Sequence, residues 1–269
     1  MNFSVLLSVY WKEHPLYLRE SLDSLFMQEL FPTEIVLVED GPLTDELYGV
    51  IAEYRYRMPN FKVIHLGVNQ GLGIALNEGL KHCSYDIVAR MDADDIAKPQ
   101  RFKKQIEILK CHSDIDLVGS WVDEFEGTTD NVRSQRKLPE NPIEIAIYAR
   151  KRCPVNHPVV MFRKQAVLNA GGYQHFPLME DYYLWVRMLM NGARFYNIQE
   201  SLLFFRFSSD MFRRRGGWRY GADEVRFQWM LFTRKFISFP LFLQNVVVRF
   251  TMRILPNPIR KLLYKCVLR

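Results

Sequence analysis

The chain has 269 residues, 48% hydrophobic and 25% charged, a balance that excludes a disordered or fibrous protein and suits one α/β unit with an appendage. Its net charge of +6 is uneven: residues 212–269 hold 13 Lys/Arg against two acids, leaving 23 against 28 in residues 1–211, a tail at +11 on a body at −5. Such a tail points to an anionic surface, while Cys83, Cys111, Cys153 and Cys266 show neither Cys-x-x-C spacing nor a disulfide framework, so a reducing cytoplasm is expected.

The N-terminus lacks a basic n-region and a cleavage site and reads as mature sequence whose apolar run, residues 3–10, is a first strand. Leu18, Leu22 and Leu25 recur at helical spacing, and Glu-Ile-Val-Leu-Val-Glu at 34–39 returns as a strand. Leu47, Val50, Ile51 and Tyr54 mark a second helix, 61–66 a third strand, 71–82 a third helix and 85–90 a fourth strand. This alternation predicts βαβ units around a mostly parallel, Rossmann-like sheet flanked by helices.

The fourth strand delivers Met91-Asp92-Ala93-Asp94-Asp95, three carboxylates within four residues. Unpaired acids at a strand end repel one another, so a hard divalent cation, Mg²⁺ or Mn²⁺, fits between them, and with it a nucleoside diphosphate. The alternative is a solvated turn before the helix that Pro99 opens. Ligands of open α/β sheets bind beyond the carboxyl ends of strands. Four such ends are polar here: Tyr10 to Glu13, Glu39-Asp40-Gly41, Asn69-Gln70-Gly71 and the Asp92 cluster. Acids converging from several strand ends favour the nucleotide and metal reading.

Phe102, Ile106 and Leu109 give the next helix its buried face, and 115–121 is a further strand. Residues 127–142 turn polar and are expected to form a mobile surface loop. Asn156-His157-Pro158 precedes an apolar strand at 159–162, and Gly171-Gly172-Tyr173 reads as a tight turn after a helix. Glu180-Asp181 opens a helix, where the dipole keeps a carboxylate ionised, as a general base requires. An ordinary N-cap is the alternative. Short strands are expected at 193–198 and 202–207. Beyond residue 210 the pattern is helical: Trp218, Ala222, Val225, Trp229 and Phe232 share one stripe, then Asn245, Arg249 and Arg253 line up against Phe242, Val246 and Phe250. This tail, 211–269, reads as an interfacial membrane anchor, with plain helical core, self-association or nucleic acid as alternatives. Its longest uncharged stretch, 236–248, is too short and polar to span a bilayer.

Ser8-Val9-Tyr10, Val38-Glu39-Asp40-Gly41, Asn69-Gln70-Gly71-Leu72, the Asp92–Asp95 motif and Met179-Glu180-Asp181-Tyr182 together resemble family 2 glycosyltransferases of the GT-A fold, in order from residue 4 to about 207. Asn156-His157-Pro158, Gly171-Gly172-Tyr173 and Arg213-Arg214-Arg215-Gly216-Gly217 bring the resemblance closest to bacterial enzymes that assemble exopolysaccharide, capsule or O-antigen. The resemblance implies a catalytic domain over 1–210 in which Asp40 holds the base and Asp92 the ribose of an NDP-sugar. It implies Asp94, with Asp95, as metal ligands for Mn²⁺ or Mg²⁺. It further implies Asp181 as the base of an inverting displacement, with Glu180 beside it positioning the acceptor. Tyr10, Glu13, Glu39, Asn69 and Gly71 are expected around the nucleotide, although the family often has Asp where this chain has Glu39. His157 is expected on the acceptor side. Arg213 and Arg214 are expected as a cationic lid on the diphosphate, with plain surface charge as the alternative.

The expected activity is transfer of a sugar to a lipid-linked saccharide by a peripheral protein on the inner face of the cell membrane, with no nucleic acid partner. The other readings are a sugar-nucleotide nucleotidylyltransferase, disfavoured by the lack of an N-terminal Gly-rich triphosphate loop, and a non-catalytic membrane-binding scaffold.

Overall fold

The computed structural model describes the backbone of residues 1–207 and 217–254 and the side chains as far as Thr251. Arg213, Arg214 and the side chain of Arg253 lie outside the described residues. The chain divides into two compact units, residues 1–148 with 153–206 and residues 149–152 with 207–269.

In the first unit β1 (Ser4–Val9), β2 (Glu34–Glu39), β3 (Phe61–His65) and β4 (Ile87–Asp92) form a parallel array in the order β3-β2-β1-β4. Helices α1 (Pro15–Phe26), α2 (Asp45–Arg57) and α3 (Leu72–His82) connect them. Apolar residues at consecutive strand positions give each sheet face its own core, as buried parallel strands require. Val5, Leu7, Ile35 and Leu37 pack with Leu18, Leu22, Leu47 and Phe102 on one face, while Leu6, Val36 and Val38 pack with Leu76, Leu80 and Trp185 on the other. Each such side chain contributes about 1.5–3 kcal/mol on burial. Helix starts are locally encoded: Pro15 follows the His14 cap, and the Thr44 side chain accepts from Leu47 N at 3.4 Å.

The sheet continues past β4 as β8 (Met161–Arg163), β6 (Leu117–Glu126), β9 (Phe195–Arg206) and the short β5 (Ile96–Ala97). Here β8 runs antiparallel to both β4 and β6, and β9 runs parallel to β6. Helices α4 (Arg101–Cys111), α5 (Pro142–Tyr148), α6 (Lys164–Asn169) and α7 (Glu180–Met190) complete the unit.

Two expectations are corrected. The polar stretch expected as a mobile loop contains β7 (Thr128–Arg136), paired antiparallel with β6 after a turn at Gly127. Its exposed face makes an edge strand polar, and Gln135 and Arg136 tie it back to Asp123 and Glu124. The two short strands expected at 193–207 are the single β9. The polar break at Gln199-Glu200 is a register shift against β6, where Ile198 opposes Ser120 and Ser201 opposes Trp121.

The second unit contains the helices α8 (Trp218–Thr233) and α9 (Phe239–Ile254), packed together. The buried residues of α8 are Tyr220, Gly221, Glu224, Phe227, Gln228 and Leu231, whereas Trp218 and Trp229 are exposed. The regular aromatic stripe therefore faces outward. No helix among the described residues is long and apolar enough to cross a membrane.

Candidate active site

The parallel strands all end on one edge of the sheet, and the residues that follow them interlock. Asp40, just past β2, accepts from Gln70 N at 2.7 Å and from Gly71 N at 3.0 Å, while Asn69 Nδ2 donates to the Asp40 carbonyl at 3.1 Å. Gly41 makes this possible: its φ is +86°, and a β-carbon there would lie 2.6 Å from Asn69 N. Glu39 is buried and hydrogen-bonded to His65 Nδ1 on the neighbouring strand. Tyr10 accepts from Glu13 N at 3.0 Å in the turn after β1.

Asp92, Asp94 and Asp95 each present a carboxylate oxygen within 4.8 Å of the others. The fully buried Arg90 reaches Asp92, and its Nε and Nη1 have no hydrogen-bond partner among the described residues. Asp95 is also fully buried; one carboxylate oxygen accepts from Arg206 N at 2.8 Å and the other has no hydrogen-bond partner among the described residues. Burial first, then the charges of Asp92 and Glu13, push the Asp94 carboxyl up to about 7. Burial, reinforced by Asp94 and Asp92, likewise pushes Asp95 well up. Burial chiefly raises Glu13, with Asp92 adding to it and Arg206 opposing. Three crowded acids with an unpartnered buried oxygen fit a hard divalent cation, whose charge favours ionisation of its ligands.

A second group of residues closes on the same place. Gly171 and Gly172 both have positive φ, and the turn is pinned by Arg187, which donates to the carbonyls of Ala170 and Gly172. The amide of Asn77 then holds Tyr173 at both its N–H and its carbonyl, at 2.8 and 2.6 Å. The Tyr173 hydroxyl and His157 Nε2 are 2.9 Å apart, and both rings meet Trp185 edge-on. Burial, aided by the Arg90 charge, depresses the His157 pKa well below the usual range, leaving the imidazole neutral. Burial raises the Tyr173 phenol, and the charges of Asp181 and Asp92 add to that effect against the pull of Arg90. Tyr173 thus lies within electrostatic reach of both the acid cluster and the start of α7.

There Asp181 Oδ1 accepts from Tyr182 N at 2.7 Å, and Glu180 is half-buried beside Gly73, with its carboxyl raised chiefly by burial. Asp40, Asn69 and Gly71 form one interlocked group, and Glu13, Asp92, Asp94 and Asp95 another. His157 is engaged with Tyr173 rather than standing free. Arg213 and Arg214 are outside the described residues.

Two residues that organise this edge, Arg90 and Arg206, were not singled out from the sequence, and Tyr173 was read only as part of the Gly171-Gly172-Tyr173 motif. Arg90 has a signal in hindsight: an arginine inside an otherwise apolar strand must be held by acids. Tyr173 carries only the glycine pair before it. Arg206 joins distant parts of the chain: beyond its N–H to Asp95, its guanidinium donates to the Asp94 carbonyl at 2.8 Å and to Glu20 at 2.5 Å and lies over the rings of Tyr17 and Phe125. An acid cluster, an arginine that ties it down and a carboxylate at a neighbouring helix start can hold a metal-bound diphosphate and accept a proton beside it.

The model of glycosyl transferase family 2 matches residues 4–171. The UDP-Gal:alpha-D-GlcNAc-diphosphoundecaprenol beta-1,3-galactosyltransferase of Escherichia coli is 39% identical over all of this chain and 97% of its own length. The amylovoran biosynthesis glycosyltransferase AmsE of Erwinia amylovora is 39% identical over 98% of both chains. Among solved structures, residues 1–349 of TarS from S. aureus, in complex with UDP-GlcNAc, superpose with a TM-score of 0.68 at 19% identity, covering 94% of this chain and 72% of that one.

Proposed function

Because the chain belongs to glycosyl transferase family 2, with a GT-A fold, we propose that it moves a hexose from a uridine diphosphate donor to a saccharide carried on polyprenyl diphosphate, inverting the anomeric centre. The observation that carries the reading is the Asp92, Asp94 and Asp95 cluster at the carboxyl end of the parallel strands. The full-length likeness to a galactosyltransferase with a diphosphoundecaprenol-linked acceptor supports the donor and acceptor classes.

In this reading Asp40 holds the base and Asp92 the ribose, with Tyr10, Glu13, Glu39, Asn69 and Gly71 shaping the nucleotide pocket. Asp94 and Asp95 would hold Mn²⁺ or Mg²⁺, which would neutralise the charge that develops on the departing diphosphate. Asp181 takes the proton of the acceptor hydroxyl as its oxygen attacks the anomeric carbon and the diphosphate leaves from the opposite face. Glu180 orients the acceptor, and Tyr173, backed by neutral His157, fixes the wall between the two. Arg213 and Arg214 would supply positive charge for the diphosphate. The protein works as a peripheral protein at the inner face of the cell membrane, where a lipid-linked acceptor is displayed.

Purified protein incubated with Mn²⁺ or Mg²⁺ and a panel of UDP-, GDP- and dTDP-sugars tests this directly. Metal-dependent release of UDP, raised by a polyprenyl-diphosphate saccharide, is the expected result. No nucleoside diphosphate released from any donor with that acceptor present contradicts it.

A further inference from the structure

The buried side of the α8–α9 pair combines Phe227 and Leu231 with a polar clamp. In that clamp Asn245 Nδ2 donates to Gln228 Oε1 at 2.8 Å and to the Arg150 carbonyl at 2.9 Å. Arg249 pairs with Glu224, which is 1% exposed, and also reaches the Lys151 carbonyl. These contacts tie both helices to the 149–152 segment of the same unit.

A further set of aromatic residues lies on the other side. Trp218 stacks edge-on with Phe250, and Trp229, Phe232, Phe239 and Phe242 form one connected set of rings across the two helices. Of this set Trp218 is 68% exposed, Trp229 53% and Phe239 52%, and Leu243, Val247 and Val248 of α9 are exposed beside them. No charged residue occurs between Phe236 and Val248. The exposed cations Arg219, Arg226, Arg234 and Lys235 belong to α8 and the turn that follows it.

Among the described residues of the unit, nothing covers these exposed rings. We propose that this outer face, centred on Trp218, Trp229, Phe239, Leu243 and Val247, is a monotopic membrane-docking surface that sinks into the headgroup layer of an anionic bilayer. Charge complementarity selects that occupant: residues 212–269 carry 13 Lys/Arg against two acids, and both acids are paired, Asp223 with Arg226 and Glu224 with Arg249. A second copy of so basic a tail would meet like charge. Tryptophan suits the boundary because its ring prefers the apolar side and its N–H the wet one. The proposal deepens the reading of a lipid-linked acceptor and rests on it for its purpose.

The test is sedimentation of full-length protein with vesicles of phosphatidylcholine containing phosphatidylglycerol, against phosphatidylcholine alone, with no sugar donor present. Wild type binds the anionic vesicles, and binding weakens with salt. The triple variant Trp229→Ser/Leu243→Ser/Val247→Ser, confined to exposed positions, partitions at least about tenfold less. Tyr56→Ser, at a 93% exposed ring in the other unit, binds as wild type does. Wild type left in the supernatant overturns the proposal, as does a triple variant that binds equally well. A wild-type dimer that the triple variant converts to monomer also overturns it, by assigning the face to a second copy. Transfer to a short-chain, water-soluble acceptor, measured on the same proteins, reports the transferase reading separately; the triple variant retains that activity.

Discussion

Trp185 and Trp229 mark two ways of using an aromatic residue in a helix. Trp185, in α7, is fully buried among Tyr173, His157 and Phe195 beneath the sheet edge. Trp229, in α8, is 53% exposed and meets the rings of Phe232 and Phe242 in its own hairpin. In the α/β body apolar side chains fill two cores and polar groups collect at strand ends. In the hairpin a polar clamp is buried beside Phe227 and Leu231, and a connected set of further rings is left outside. Amphipathic periodicity says that a helix has two faces; what each face meets is decided by the partner groups that satisfy the polar one.

The largest expected contrast is in stability. Trp185→Ala removes a fully buried ring and should cost about 3–5 kcal/mol, whereas Trp229→Ala should cost less than about 1 kcal/mol. Urea midpoints of the two variants measure the difference. Equal losses would erase the distinction between the regions.

A second contrast comes from the acid cluster. The folded Asp94 carboxyl keeps its proton up to about pH 7, while an unfolded one loses it near its ordinary value of 3.8. The folded state therefore binds the extra proton between those values, and this site's contribution to stability is greatest at low pH and falls as pH rises through the window. The stability of metal-free wild type relative to Asp94→Asn should thus decline from pH 5 to pH 7 (~two units). Mn²⁺ should reverse the decline by favouring the ionised form. A difference independent of pH would show that the acids are not crowded in solution.

The smallest effect sharpens the picture of the hairpin. Asn245→Leu makes α9 more apolar, yet it removes the donor to the Arg150 carbonyl and to Gln228 Oε1. It should destabilise the unit by about 1–3 kcal/mol. Chemical unfolding followed through the exposed tryptophans checks this, and a stabilised variant would mean that the buried side tolerates an apolar residue.

Much of the body could be read from the chain because its signals are local. Consecutive apolar residues in β1, β2 and β4, the helical spacing of Leu18, Leu22 and Leu25 and the acids just after strands each speak for their own element. The Asp92 cluster was legible because three carboxylates in four residues demand a cation or a turn. What escaped notice depends on contacts far apart in sequence: Arg206 secures Asp95 across 111 residues, and Asn245 meets the Arg150 carbonyl across 95. The edge strand β7 escaped because a strand with one solvated face has the composition of a loop. The stripe of α8 was visible in the spacing, but its outward direction was not, since the polar clamp that turns it draws on residues 149–152 and on α9.

The central claim is that one edge of the sheet separates donor binding from acceptor activation. It is tested most directly by measuring UDP-sugar affinity and kcat in Asp181→Asn. The account predicts donor affinity within about threefold of wild type and a kcat lower by about a thousandfold. Wild-type turnover in that variant, or loss of donor binding together with turnover, would contradict it.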